Sequence, residues 1–506
     1  MTPATNRPAE TAARVAELLK TDAPWEVFAE RLRRYEIHLS GLTVEMVRGP
    51  IALEGYGIRV LRARAGKTGS GFQASTDLSA AGVRAATADA ESLAARSEFP
   101  AEKVELPGRA PSPPSGLEIV DRKLWDDPLG AIDAHLAEIV RGFEGRRDVG
   151  PSFGSVRATL AETTIANSAG LRASYAHTLV DFEIAVKASG GPEGAAPGEY
   201  WVNSSSRRLE TDRLPAEIDA WCKYAQDVRR AVAPPTGELP VVLPPSVLAG
   251  IVPPVVGFRF SGSARLRKIA PAVGDSAAAD RVSIVDDGVR SWAPGSGPVD
   301  AEGGGRARLP LIENGRVASL LYDAAHSAAF GVPSTASATR GVDPNGFTDW
   351  RRFLHPPRVW SSTLSVAPGD GGTDAELVEQ AEDGIWVQQL GWAIPDPFSG
   401  SFGGEIRIGY RIRHGKLAEP VRGGTVGGVV FAPPGQPSML QSIQAVGSRA
   451  ELADTIAAPP LLVRPLVVAG ASAPTAATSK PKRAGGRGSS GTSGTARRRR
   501  SRSTSR

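Results

Sequence analysis

The sequence predicts an α+β protein in three stretches. Residues 1–233 read as a sheet with helices packed on it, residues 234–470 as a mostly antiparallel β domain, and residues 471–506 as a disordered basic tail. Three observations predict this. Apolar residues recur at helical spacing in a few segments, nearly all before residue 233. From Leu239 to Gly470 short Val, Ile and Leu runs alternate with glycine-rich turns. Beyond Gly470 the chain is Ser, Thr, Gly, Ala, Lys and Arg without apolar periodicity, which cannot offset the entropy of ordering it.

In order, Ala9–Arg34 reads as a helix divided at Pro24, with Val15, Leu18 and Leu19 and then Trp25, Phe28 and Leu32 inward. Strands follow at Tyr35–Leu39, Leu42–Arg48, Gly57–Ala63 and Phe72–Ser75. The Ala-rich Leu78–Ser97 favours helix, and the Pro-rich Ala101–Gly116 is a connector. Asp126–Phe143 reads as a helix capped by Asp126 or Asp127, with Pro128 in its first turn. Ser155–Asn167 and Leu171–Ala188 read as strands joined by the Asn-Ser-Ala-Gly turn, and Pro215–Val232 as a helix ending before Pro234-Pro235.

In the second half, strands are expected at Val282–Val285, Leu309–Ile312, Val317–Tyr322, Ile406–Ile412 and Leu461–Val468, with Asp374–Glu382 as the one clear helix. The stretch Val241–Phe260 is ambiguous. Its apolar residues have helical spacing, but Pro253-Pro254 argues against a regular helix, since each proline removes an N–H.

Of 506 residues, 41% are hydrophobic and 22% charged, the balance of a soluble globular protein. The net charge of +5 hides an asymmetry: Gly470–Arg506 holds ten Lys and Arg and no acid, leaving 49 basic against 54 acidic residues before it. A single cysteine, Cys222, fits a reducing compartment. No secretory signal and no apolar run of membrane-spanning length is visible, so a cytoplasmic location without membrane contact is expected.

Chemistry-bearing motifs are scarce. The histidines His38, His135, His177, His326, His355 and His414 never fall within ten residues of one another, so no local zinc signature exists. Gly66-Lys67-Thr68 resembles the end of a phosphate loop, but Leu61 stands where its first glycine belongs. Cys222 lies on an apolar helix face and reads as an inert thiol. Asp286, Asp287, Asp300 and Glu302, with His326, are the acid/base candidates; both acidic pairs precede a glycine, and turn chemistry is the simpler reading. Asp396–Gly404 is either a binding loop or a hairpin connection. Arg497, Arg498, Arg499 and Arg500 could neutralise phosphates and give weak, salt-dependent nucleic-acid contact.

The order of several motifs carries more. Gly57–Val60 (GIRV), Gly69–Thr76 (GSGFQAST), Val285–Gly288 (VDDG), Val299–Gly303 (VDAEG) and Leu311–Gly315 (LIENG) occur in succession. Pro333–Arg340 (PSTASATR), Asp396–Lys416 (DPFSGSFGGEIRIGYRIRHGK) and Pro420–Gly428 (PVRGGTVGG) follow. Collinear over about Tyr35–Gly470, they resemble the TldD/PmbA (TldD/TldE) family of cytoplasmic peptidase subunits. TldD-type members carry His-Glu-x-x-x-His on a helix after a Val-Val-Leu strand and a cysteine ligand near the C-terminus, and the pair of histidines binds zinc. Here those positions hold Pro253, Pro254 and Phe258, and Glu451–Val468 has no cysteine. The resemblance therefore implies a metal-less, TldE/PmbA-like subunit, with no cofactor of its own and with zinc only in a TldD-type partner. It implies a peptide channel shared with that partner and unfolded peptide as substrate. It also leads us to expect that the prolines have dismantled the helix. The alternatives are an independent hydrolase with a relocated site, or a nucleic-acid-associated protein acting through the tail.

Overall fold

Six strands between Trp25 and Ser206 pair antiparallel in one sheet of order β3-β2-β1-β4-β5-β6. They are β1 (Trp25–Ser40), β2 (Thr43–Arg64), β3 (Lys67–Ser75), β4 (Val149–Asn167), β5 (Arg172–Ala188) and β6 (Gly198–Ser206). The computed structural model describes residues 7–189, 197–342, 348–391, 393–433 and 435–470. The expected basic tail, with Arg497 to Arg500, lies outside the described residues.

The first correction concerns Trp25–Arg34, expected to be helical. The first helix, α1 (Arg7–Leu18), stops early, and Trp25 starts the central strand β1, held by β2 and β4 on its two sides. Glu26, Glu30 and Arg34 on this strand are buried, and apart from Glu36, which Arg34 meets on β1 itself, their partners lie on other strands or more than 300 residues away.

Local signals serve better elsewhere. Helix α2 (Ala80–Arg96) is capped by Ser79, whose side chain accepts from the Gly82 N–H. A short helix, α3 (Arg122–Asp126), leads into α4 (Pro128–Phe143), capped by Asp127 at the Gly130 N–H. In the β4–β5 turn the Asn167 Oδ1 accepts from the Ala169 and Leu171 N–H groups at 3.0 and 3.1 Å, closing the expected hairpin. Helix α5 (Leu214–Arg230) covers β5 and β6, and the buried Cys222 thiol on it is pushed up by burial. Helix α2 lies so close on β3 that a Cβ on Gly71 would come within 1.9 Å of the Ala90 carbonyl oxygen.

In the second half, five strands form a closed ring. Gly237–Leu243 (β7) pairs with Leu461–Ala469 and with Gly384–Gly391, Ser401–Arg413 pairs with Gly384–Gly391 and Thr425–Val429, and Thr425–Val429 completes the circle to Leu461–Ala469. A second sheet contains β8 (Ile284–Asp287). The architecture is α+β, as the sequence predicts.

Here three expectations need correction. Val241–Phe260 is a strand followed by a helix: α6 (Pro245–Arg259) runs on through Pro253-Pro254. Two further helices, α7 (Gly262–Leu266) and α8 (Ala324–Phe330), join α6 and Asp374–Ala381, so the latter is not the one helix. The expected strand Val317–Tyr322 reduces to Arg316–Val317, because Leu321 instead donates its N–H to the Phe260 carbonyl and accepts from Gly262. Helix α6 survives because its environment overrides its propensity. Val247, Leu248, Ile251, Val252, Val255 and Val256 are all buried in the main core, each stabilising by about 1.5–3 kcal/mol, against about 3 kcal/mol for an interior proline.

Among the described residues no helix is long and apolar enough to cross a membrane.

Gly71→Ala should lower stability by about 1–3 kcal/mol, the range for overpacking, because backbone faces the new methyl. Chemical denaturation measures it, and an unchanged midpoint would show that α2 can move away.

Candidate functional site

On β5, Tyr175, His177, Leu179, Asp181 and Glu183 occupy alternate positions and so share one face of the sheet. With Arg157 and Thr159 of β4 and Asn203 and Ser205 of β6 they floor a cleft of about 670 Å³. Its other wall comes from the second half: Ala249, Gly250, Pro253 and Pro254 of α6, the loop Pro294–Ala301, and segments around Arg340, Arg352 and Asp454. Pro253 and Pro254 have no N–H, so the carbonyls of Ala249 and Gly250 lose their i→i+4 helical partners on the stretch that borders the cleft.

Buried ion pairs hold the two walls. Arg340 bonds Glu26 of β1, and Glu26 accepts from Arg59 of β2 at 2.8 Å. Arg59 also donates to Glu302 at 2.7 Å, and Glu302 takes the Ala324 N–H at 2.8 Å. Burial holds Glu302 above the usual carboxylate range, opposed by Arg59. A second set centres on Glu30, which accepts from Arg352 at 2.8 Å and from the Phe353 N–H at 3.1 Å. Arg352 reaches Thr163 at 2.7 Å and the Tyr175 hydroxyl at 3.1 Å.

The acid/base candidates are not brought together. Asp286 is buried on β8 and accepts from the Ser362 N–H and Oγ, both at 2.7 Å, and from the Thr363 N–H at 3.2 Å. Asp287 faces Arg308 at 3.5 Å. Asp300 borders the cleft, yet its carboxylate takes the N–H groups of Glu302, Gly304 and Ala338 at 2.8–3.0 Å and so closes a loop. His326 sits elsewhere, with Nδ1 2.7 Å from Asp323 and Nε2 3.1 Å from the Ser263 Oγ. The Asp396–Gly404 segment is a hairpin connection. Phe398 in it packs on Phe258 with ring centroids 4.8 Å apart, and its carbonyl accepts from Arg259 at 2.6 Å.

Sequence reasoning missed Arg34, Arg157, Arg207, Arg306, Arg340, Arg352 and His177, all of which line the cleft. The available signal was the polar row at alternate positions of a predicted strand, Tyr175 to Glu183. No spacing announces the arginines, which come together from β1, β4, the end of β6 and three later loops.

A zinc ion of the kind the resemblance assigns to TldD-type members does not fit these residues. Pro253, Pro254 and Phe258 offer no donor atom, and among the described residues no three His, Cys, Asp or Glu side chains are grouped to hold a metal.

Comparison with known proteins follows this geometry. Residues 126–233 match the family model of the PmbA/TldA metallopeptidase central domain, and residues 236–470 that of its C-terminal domain. The chain is 26% identical to a metalloprotease of Methanothermobacter thermautotrophicus over 43% of this chain and 45% of that protein. It is 25% identical to a metalloprotease TldD homolog of Haemophilus influenzae over 44% of this chain and 43% of that one. The matches thus span less than half the length of these relatives. The crystal structure of TldE from Thermococcus kodakarensis superposes with a TM-score of 0.72 at 18% identity, covering 91% of this chain and 99% of that one; at that identity the likeness is one of fold.

Arg352→Met should cost about 3–5 kcal/mol, because it strands the buried Glu30 charge. The double variant Glu30→Leu/Arg352→Met should recover most of that. Denaturation of both checks this, and equal losses would mean the pair is not coupled. Asp454 gives a pH prediction. Burial pushes it up to about 6, so the folded state holds its proton more tightly than the unfolded chain, near about 3.9. Its stabilising contribution is complete below about 3.9 and is lost as pH rises through about 6. Asp454→Asn should flatten the stability profile over that window, and an unaltered slope would remove Asp454 as its source.

Proposed function

The chain belongs to the PmbA/TldD metallopeptidase family, and from that premise we propose that it is a non-catalytic, TldE-like subunit. It pairs with a metal-bearing TldD-type subunit and holds unfolded peptide in the cleft between its sheet and α6. The observation that carries this reading is α6 itself. The helix stands where the resemblance places the metal-binding helix, it borders the cleft, and Pro253, Pro254 and Phe258, at the His, Glu and His positions, carry no side-chain donor. Attack on a peptide bond by a metal-bound water needs the metal's ligands and a base, and α6 supplies neither. The cleft, by contrast, is intact. It offers hydrogen-bonding groups along β5 and an apolar margin from Phe28, Val299 and Trp360, a setting for an extended chain.

The match of structure to a TldE, and of sequence to a TldD homolog, supports assignment within the pair. On this reading the chain carries no cofactor, zinc belongs to the partner, and the complex acts in the cytoplasm. Its role is to complete the peptide channel and position substrate against the partner's metal.

Co-expression with the TldD-type subunit of the same organism should give a stable complex. That complex should hydrolyse unfolded peptide and hold zinc in proportion to the partner alone. Stoichiometric zinc on this chain purified by itself, or peptide hydrolysis by it, would overturn the reading.

A further inference from the structure

The cleft floor is not uniform along β5. At about 3.3 Å per residue, His177 and Asp181 lie about 13 Å apart, the length of four extended residues. At the Asp181 end the charges are matched: Asp181 faces Arg34 at 3.5 Å, and Glu183 faces Arg157 at 3.6 Å.

The His177 end is different. Arg207 is buried and donates to the carbonyls of Thr178, Ala293, Pro294 and Ser296. Arg306 donates through Nε to the Val299 carbonyl at 3.3 Å and through Nη2 to that of Ala338 at 3.2 Å, which leaves the N–H groups of Nη1 unused. Among the described residues neither guanidinium has a carboxylate in ion-pair contact. Two further polar groups lack partners. The His177 ring stacks on Tyr175 at 5.9 Å, and its enclosed Nδ1 has no hydrogen bond; the enclosed Ser296 Oγ has none either. His177 and Ser296 are 5% and 2% exposed, and a buried polar group is ordinarily hydrogen-bonded.

The buried Arg207 guanidinium, bonded to carbonyls, the half-buried Arg306 with its Nη1 unused, and two orphaned polar side chains therefore border one end of the same cleft. Burial, with Arg352 and Arg306 nearby, pulls Arg207 down to about 9, the mark of positive charge without a counter-ion.

We propose that this end of the cleft is a carboxylate subsite for the C-terminus of the bound peptide. The terminal carboxylate sits against Arg306 and Arg207, with Ser296 and His177 as further hydrogen-bond partners, and the chain runs back along β5 toward Asp181. Planar guanidinium forks suit a carboxylate. A phosphate polymer is disfavoured, because Asp181, Glu183, Asp349 and Asp454 border the same cleft and would repel it. This inference rests on the peptide-holding role proposed above.

The test uses the full chain and an N-terminally fluorescein-labelled, unstructured peptide without acidic residues, read by anisotropy. Three forms are compared: free C-terminal acid, C-terminal amide, and amide with one internal glutamate. The acid form should bind at least ten-fold more tightly than either amide. Arg306→Gln should bring binding of the acid form down to that of the amide. Equal binding of acid and amide would overturn the subsite and leave the peptide reading standing. Recovery by the internal glutamate would overturn the terminal assignment. Binding of no form would overturn both readings.

Discussion

Glu26 is the residue on which the cleft turns. It is buried near the start of the central strand β1, and a carboxylate there costs several kcal/mol unless it is fully paired. Arg59 pairs it from the neighbouring strand, and Arg340 pairs it from across the molecule. Arg59 then passes to Glu302, and Glu30 repeats the arrangement with Arg352. Moving the walls apart would leave these charges in a poor dielectric without partners. The cleft is thereby a prebuilt feature of the fold.

The same network explains why the cleft does not depend on chemistry at α6. A structural metal can hold two segments together and supply folding free energy. Here α6 is held by packing. Its apolar residues join the main core, and Phe258 packs against Trp360 and Phe398. The adjacent prolines remove two helical hydrogen bonds, but they do so where Ala249 and Gly250 are not fully buried. Their free carbonyls can meet water or a ligand, so the cost of an unpaired buried acceptor is avoided.

What the sequence disclosed follows the range of the interactions involved. Asp127 capping α4 and Asn167 closing the β4–β5 turn act within four residues, and both were legible. The helix predicted over Trp25–Arg34 failed for the opposite reason: Glu26 and Glu30 look solvated until Arg340 and Arg352 are in place. Glu302 is a related case. As sequence it is half of an acidic pair and suggests acid/base chemistry, whereas in the fold it closes the network that begins at Glu26. Arg207 and Arg306 could not be found at all, because what distinguishes them is that, among the described residues, no carboxylate lies in ion-pair contact with them. The prolines of α6 misled on structure, while the missing donors at the same positions were plain.

Under the function proposed above, the chain has no metal chemistry on α6 and keeps the cleft that α6 borders. Replacing His and Glu by proline on a helix that nothing else supports would unfold that wall, and the cleft would go with it. In this protein α6 is supported from behind by Ile251, Val252, Val255 and Val256, and the same wall is tied across the cleft to Glu26 and Glu30 by Arg340 and Arg352. The donor positions are therefore free to change. The floor residues are constrained differently, since Asp181 and Tyr175 each face an arginine that is itself fixed by a second partner or by stacking, and Glu183 faces Arg157. Substitution there disturbs a network, whereas substitution on α6 removes only reactivity. Under the function proposed above, that asymmetry is what would let a binding subunit keep its cleft without a metal on α6.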